Sequence, residues 1–306
     1  MNTTTMNGRT ATWNGIGVDL NTNDFSEVLT NAKLNYRVNM MDAFVNIGEE
    51  QVTIPNKKVV VRDDGHIYGV VSKNYTPIQN EEAFDFINFI DEDIKFVKAG
   101  ETYNGLVYVI GQLEDVNVLG DKFTPHVIFQ NSHNGGYSLA TSICPLRIVC
   151  QNQFNLAFAE SNSTFTIRHT KNANSKMAIA GETLKNISQY MKTFNEKAEL
   201  FASHKVSEVQ VTKFINFMFP EKEDMSENAI NKLNEEKTKF INAYNSSDNS
   251  NFRGSAWGLI NGLTDYITHK EHKRKVENAE EKKFIETILV ANGLNNPINY
   301  LMNLTA

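Results

Sequence analysis

The chain has 306 residues, 41% of them hydrophobic and 22% charged, with a formal net charge of −6. That length can bury a sizeable core as one domain or two, and the composition excludes bulk disorder. The acidic balance excludes a uniformly basic nucleic-acid coat protein but leaves room for a local basic surface.

In chain order, residues 1–24 are polar and predict an arm or an edge element. Residues 25–34 predict a short helix, with Asp24 or Ser26 as its N-cap. Two apolar runs, Val59-Val-Val61 and Ile67-Tyr-Gly-Val-Val71, flank Asp63-Asp-Gly65, which predicts a hairpin. Residues 80–90 then predict a helix capped by Asn80, with Ala83, Phe84, Ile87 and Ile90 on one face. A meander follows, with strands expected at 94–98, 105–113, 123–131, 138–142 and 147–150. Residues 151–160 predict a short helix, and 164–169 a last strand.

Beyond residue 170 the apolar period changes from two to 3.6. Met177, Ala180, Leu184, Ile187, Met191, Phe194, Ala198 and Phe201 predict one long amphipathic helix. Helices are also expected at 207–219, 226–244, 256–268 and 279–291, the first opened by Ser207 and Gln210 in capping-box spacing. The fold class is therefore α+β. An antiparallel β-meander core occupies the first half and helices the second, divided as an arm (1–24), a β-rich core (25–170) and a helical region (171–306).

Charge is spread unevenly. Residues 1–140 carry 10 Lys and Arg against 18 Asp and Glu, residues 141–215 carry 9 against 5, and residues 216–306 carry 11 against 13. The positive segment opens at the block Pro145-Leu-Arg-Ile-Val-Cys-Gln-Asn152. The chain has two cysteines, Cys144 and Cys150, no apolar leader and no run long enough to span a bilayer. A cytoplasmic protein with reduced thiols and no membrane partner is the expectation.

No phosphate-binding loop, dinucleotide fingerprint, zincin motif or nucleophile elbow occurs. His126, His133, Cys144, Cys150 and His169 lack the close ligand spacing that zinc sites use, so neither metal nor cofactor is expected. The acidic clusters Asp63-Asp64 and Asp91-Glu-Asp93 read as turn and helix-end features rather than a nuclease centre. The basic run His269-Lys-Glu-His-Lys-Arg-Lys275 reads as a solvated helix end. The stretch Asn131-Ser-His-Asn-Gly-Gly136 reads as a hairpin loop, with Asn131, His133 and Asn134 as its polar candidates.

Arg147 and Arg168 stand in otherwise apolar strands, and each must reach water, a carboxylate or a phosphate. Gln151, Asn152, His169, Lys171 and Lys176 add donors nearby, and Tyr137, Phe154 and Phe158 add aromatic faces. Basic groups interleaved with rings suit single-stranded nucleic acid, whose backbone needs charge and whose bases need stacking. The other reading is that Arg147 makes a structural ion pair.

The segment order resembles the phage- and plasmid-borne proteins grouped as domain-of-unknown-function family 932. The resemblance rests on Trp13-Asn-Gly15, Val61-Arg-Asp63, the block from Gly69 to Asn80, Asn131-Ser-His-Asn-Gly135, Arg147-Ile-Val-Cys-Gln-Asn152, Arg168-His-Thr170 and Ser255-Ala-Trp257. It implies a mobile-element origin and brings no established activity. The family pattern more usually has aspartate where this chain has Asn134, which favours binding over catalysis. Two functions follow as expectations. One is a non-catalytic single-stranded DNA binder in recombination or replication, assembled as a homo-oligomer. The other is a counter-defence protein that binds and inhibits a host protein.

Overall fold

The computed structural model describes residues 16–84, 87, 93–147, 152–153, 164–170, 187–268, 278–285 and 295–305. Its strands and helices run β1 (Val18–Thr22), α1 (Phe25–Asn31), β2 (Val38–Ile47), β3 (Glu50–Arg62), β4 (Ile67–Ser72), α2 (Asn80–Phe84), β5 (Lys95–Glu101), β6 (Leu106–Gln112), β7 (Val116–Val118), β8 (Asp121–Ser132), β9 (Leu139–Arg147), β10 (Asn152–Gln153) and β11 (Thr164–Ile167). The helices α3 (Ile187–Ser203), α4 (Glu208–Met218), α5 (Glu227–Tyr244), α6 (Ala256–Thr268), α7 (Ala279–Phe284) and α8 (Asn295–Thr305) follow, with a 3-10 turn at Ser247–Phe252. This is the α+β division that the change of period predicts. Among the described residues no helix is long and apolar enough to cross a membrane.

Two antiparallel sheets make up the first half. The larger has the order β1-β5-β6-β8-β9-β10, with β7 paired to β8 and β11 to β9. The smaller has the order β2-β3-β4. Strand β6 lies at the centre of the larger sheet, and all of Leu106, Val107, Tyr108, Val109 and Ile110 are fully buried. Alternation explains why a continuous apolar run forms it. Val107 and Val109 pack towards α1 and α2 with Val28, Phe84, Phe96 and Phe129. Leu106, Tyr108 and Ile110 pack on the other face with Phe284 and Ile285. The helices of the second half close around Trp257, Phe194, Phe201, Phe214 and Phe240, and Phe123 of β8 joins them to the sheet.

Local chemistry sets the helix starts. The Asp24 carboxylate accepts from the Ser26 amide at 2.8 Å to open α1. Ser207 and Gln210 form the reciprocal capping box that opens α4. Helix α8, not expected from the sequence, carries Pro297 in its first turn, where a missing N–H costs little.

One expectation narrows and three change. The end of the polar arm is a true sheet edge, because β1 pairs with β5. Gly17 makes that approach possible: its φ is +67°, and a Cβ there would sit 2.1 Å from the Tyr108 hydroxyl and 2.6 Å from the Ala99 carbonyl oxygen. The strand expected at 138–142 continues as β9 through Pro145 to Arg147, and the rest of the strand expected at 147–150 lies outside the described residues. Pro145 stands opposite Pro125 of β8, so the two missing amides fall at one position of the ladder. Residues 152–153 pair as a strand rather than opening a helix, and the rest of 151–160 lies outside the described residues. Asn80, expected as a helix cap, is buried and turns its amide into the core.

Candidate functional site

Three segments meet where the two sheets adjoin. The end of β4 and its following turn supply Val70, Val71, Ser72, Asn74 and Tyr75, the β8–β9 loop supplies Asn134 to Ser138, and the chain after β11 supplies Arg168, His169 and Thr170. Between them lies an open groove of about 560 Å³ with mixed polar and apolar walls.

The loop wall is held by one side chain. The Asn134 carbonyl oxygen accepts from the Ser132 hydroxyl and from the Gly136 amide, each at 2.7 Å. The Asn134 amide nitrogen donates to the Asn104 carbonyl on the turn between β5 and β6. A carboxylate could keep the first two bonds but has no proton for the third. The asparagine at this position is therefore explained by its loop contacts. Gly135, with φ +75°, supplies the left-handed residue that the loop needs.

The floor is His169. Its ring lies nearly parallel to that of Tyr75, with centroids 5.0 Å apart and planes 18° apart. The Tyr75 hydroxyl donates to the Ser132 carbonyl at 2.9 Å, and the Thr76 amide donates to the His169 carbonyl, so both residues are fixed from behind. His169 is 7% exposed, and neither ring nitrogen has a partner among the described residues. Burial lowers its pKa to about 4, so the ring is neutral at physiological pH.

Behind the floor lies a buried polar cluster. The Asn80 side-chain nitrogen donates to the Leu34 carbonyl, leaving its oxygen to accept from Asn131 at 3.1 Å and from His133 Nε2 at 3.0 Å. His133 therefore carries its proton on Nε2, and its Nδ1 faces no donor among the described residues. Burial, then the charges of His169 and Arg62, lower the His133 pKa to about 3. Arg62 forms a two-pronged pair with Asp64, at 2.9 and 2.7 Å, reaches Glu101 at 3.3 Å and lies over the Tyr36 ring at 4.8 Å. Burial and the nearby Glu101 push the Tyr36 hydroxyl up to about 12, and burial raises Tyr68 too.

The residues singled out in the sequence thus divide. Arg168 and Asn134 reach the groove and His169 forms its floor, whereas Asn131 and His133 turn inward. Arg147 and Asn152 are cross-strand partners at the far end of β9, while β11 pairs with its near end, Leu139 to Ser142. At about 3.4 Å per residue the two ends are some 25–30 Å apart, so the two arginines do not form one cluster. The side chains of Arg147 and Asn152, all of Gln151, Lys171 and Lys176, and the run 269–275 lie outside the described residues. The potential metal ligands do not converge among the described residues, and Cys150 lies outside them. His126 and Cys144 are cross-strand partners within the sheet, and among the described residues no three His, Cys, Asp or Glu groups are placed to hold a metal. Tyr68, Tyr75 and Asn80 were missed as site residues, although all three lie in or beside the block Gly69 to Asn80.

The family model of a domain of unknown function, DUF932, matches residues 67–288, which includes the groove and the polar cluster behind it except for Tyr36, Arg62 and Asp64. No curated protein and no solved structure matches the chain.

Proposed function

The chain belongs to the DUF932 family, and from its groove we propose that it is a non-catalytic binder of single-stranded DNA. The observation that carries this reading is the pairing of Arg168 and His169. Arg168 is exposed on the rim and has no carboxylate partner among the described residues. Its guanidinium offers several donors in a fork that fits a phosphate. Beside it, His169 lines the floor, its two ring nitrogens buried and without a hydrogen-bond partner among the described residues. Tyr137 adds an aromatic ring to the lining, and the Tyr75–His169 stack makes the floor stiff.

A groove of about 560 Å³ has room for one nucleotide unit and is within the range of small-ligand sites. A base within it must be unpaired, which selects single strands over duplex. The net positive balance of residues 141–215 favours the same partner. Two neutral buried histidines and an asparagine committed to loop bonds suit holding a ligand rather than moving protons. Recombination or replication of a mobile element is the process in which such a protein would act.

Fluorescence anisotropy with a labelled single-stranded oligonucleotide tests the reading. Tight binding to the single strand, weaker binding to the same sequence as duplex, and loss of affinity in Arg168→Ala are expected. Equal affinity for duplex and single strand would contradict it.

A further inference from the structure

The groove between the two sheets is lined unlike the rest of the chain. Asp and Glu number 36 in the sequence against 30 Lys and Arg. Yet no carboxylate is among the described residues that line the groove, and Arg168 is the one charged side chain among them. Each of the three segments that meet there also brings a hydroxyl: Ser72 from the end of β4, Ser138 from the β8–β9 loop and Thr170 from the chain after β11. The Ser72 hydroxyl oxygen accepts from the Asn74 amide at 3.3 Å, so its own proton is left to donate. A guanidinium and three hydroxyls around one cleft, with no carboxylate to repel an anion, suit a phosphate group. Val70 and Tyr137 give the same cleft an apolar and an aromatic wall.

The number of charges and donors decides which phosphate. A strand that runs through the groove carries a phosphodiester on each side of the held nucleotide, and each diester brings one negative charge. The single guanidinium of the lining serves one phosphate, not two. A diester also has only two unesterified oxygens, which the fork of Arg168 can occupy alone. A terminal monoester has three such oxygens and a charge of about −1.5 to −2 near pH 7. Its third oxygen is what the hydroxyls of Ser72, Ser138 and Thr170 can take up. The volume of about 560 Å³ agrees with one nucleotide at the end of a strand, its phosphate at Arg168 and its base towards Tyr137.

We infer that the groove binds the terminal phosphate monoester of a DNA single strand. The inference rests on the reading of the groove as a single-strand site and names the part of the strand that the groove selects.

Fluorescence anisotropy of the full chain with one internally labelled oligonucleotide, prepared with a 5′-phosphate, with a 3′-phosphate or with hydroxyls at both ends, tests it. One of the two phosphorylated forms is expected to bind about tenfold or more tightly than the hydroxyl-ended form, and which one it is fixes the polarity of the bound end. Arg168→Ala is expected to abolish this preference. Thr170→Val, at an exposed position where the fold does not depend on the side chain, is expected to narrow it. Equal affinity for all three forms overturns the inference and leaves the single-strand reading standing, whereas binding of none of them at low salt overturns both. A preference that survives intact in Arg168→Ala also overturns it, because the phosphate is then held elsewhere.

Discussion

His169 stacks on Tyr75 with its ring centroid 5.0 Å away and the two planes within 18° of parallel. The stack joins the end of the larger sheet to the turn after the smaller one. It leaves the imidazole neutral, buried and without a hydrogen-bond partner among the described residues. Its consequences extend from stability to ligand binding.

The first consequence is acid sensitivity. Burial is the main cause that lowers the pKa of His126 to about 4, of His133 to about 3 and of His169 to about 4. In the unfolded chain each titrates near 6.5, so below that pH the unfolded state binds more protons. The stabilisation is complete above about pH 6.5 and is lost progressively as pH falls towards 4. Three such groups give a slope on the order of 4 kcal/mol per pH unit between those limits. Urea unfolding at pH 7, 6 and 5 measures it, and a flat profile would show that the histidines are solvated.

Asn134 is expected to resist replacement by aspartate. Asn134→Asp removes the donor to the Asn104 carbonyl and sets a carboxylate against it, at a cost of about 1–3 kcal/mol. Protonation restores a donor, so the deficit should shrink as the solution is acidified towards the aspartate pKa. Denaturant midpoints of variant and parent at pH 7 and pH 5 check both the sign and the trend.

Asn80→Ala removes the partner of three groups: the Leu34 carbonyl, His133 Nε2 and one of the two acceptors of Asn131. Buried groups left unpaired make the expected cost about 2–4 kcal/mol. A change below about 0.5 kcal/mol in urea unfolding, the level of an ordinary surface substitution, would mean that Asn80 is not the hub of this cluster.

The sequence made the fold class legible because period-2 and period-3.6 runs are local signals. Helix α6 matches its expected limits, and the Ser207–Gln210 box opens α4 as its spacing predicts. Asn80 shows where such reasoning ends. It precedes an apolar helical pattern and reads as a cap, yet its amide is taken up by Leu34, Asn131 and His133, at least 46 positions away in sequence. The division of Arg147 from Arg168 has the same origin. Arg147 ends β9 and Arg168 follows β11, and only the register of β10 and β11 on β9 places them at opposite ends of it. Long-range pairing, not propensity, decides which polar residues share a site.

The groove reading stands or falls on the salt dependence of single-stranded DNA binding by the parent chain and by Arg168→Ala. Log affinity should fall linearly with log salt concentration, and removing one phosphate contact should reduce the slope by about 0.7 while weakening binding. An absence of binding at low salt, or an Arg168→Ala variant with the parent's affinity and slope, would contradict it.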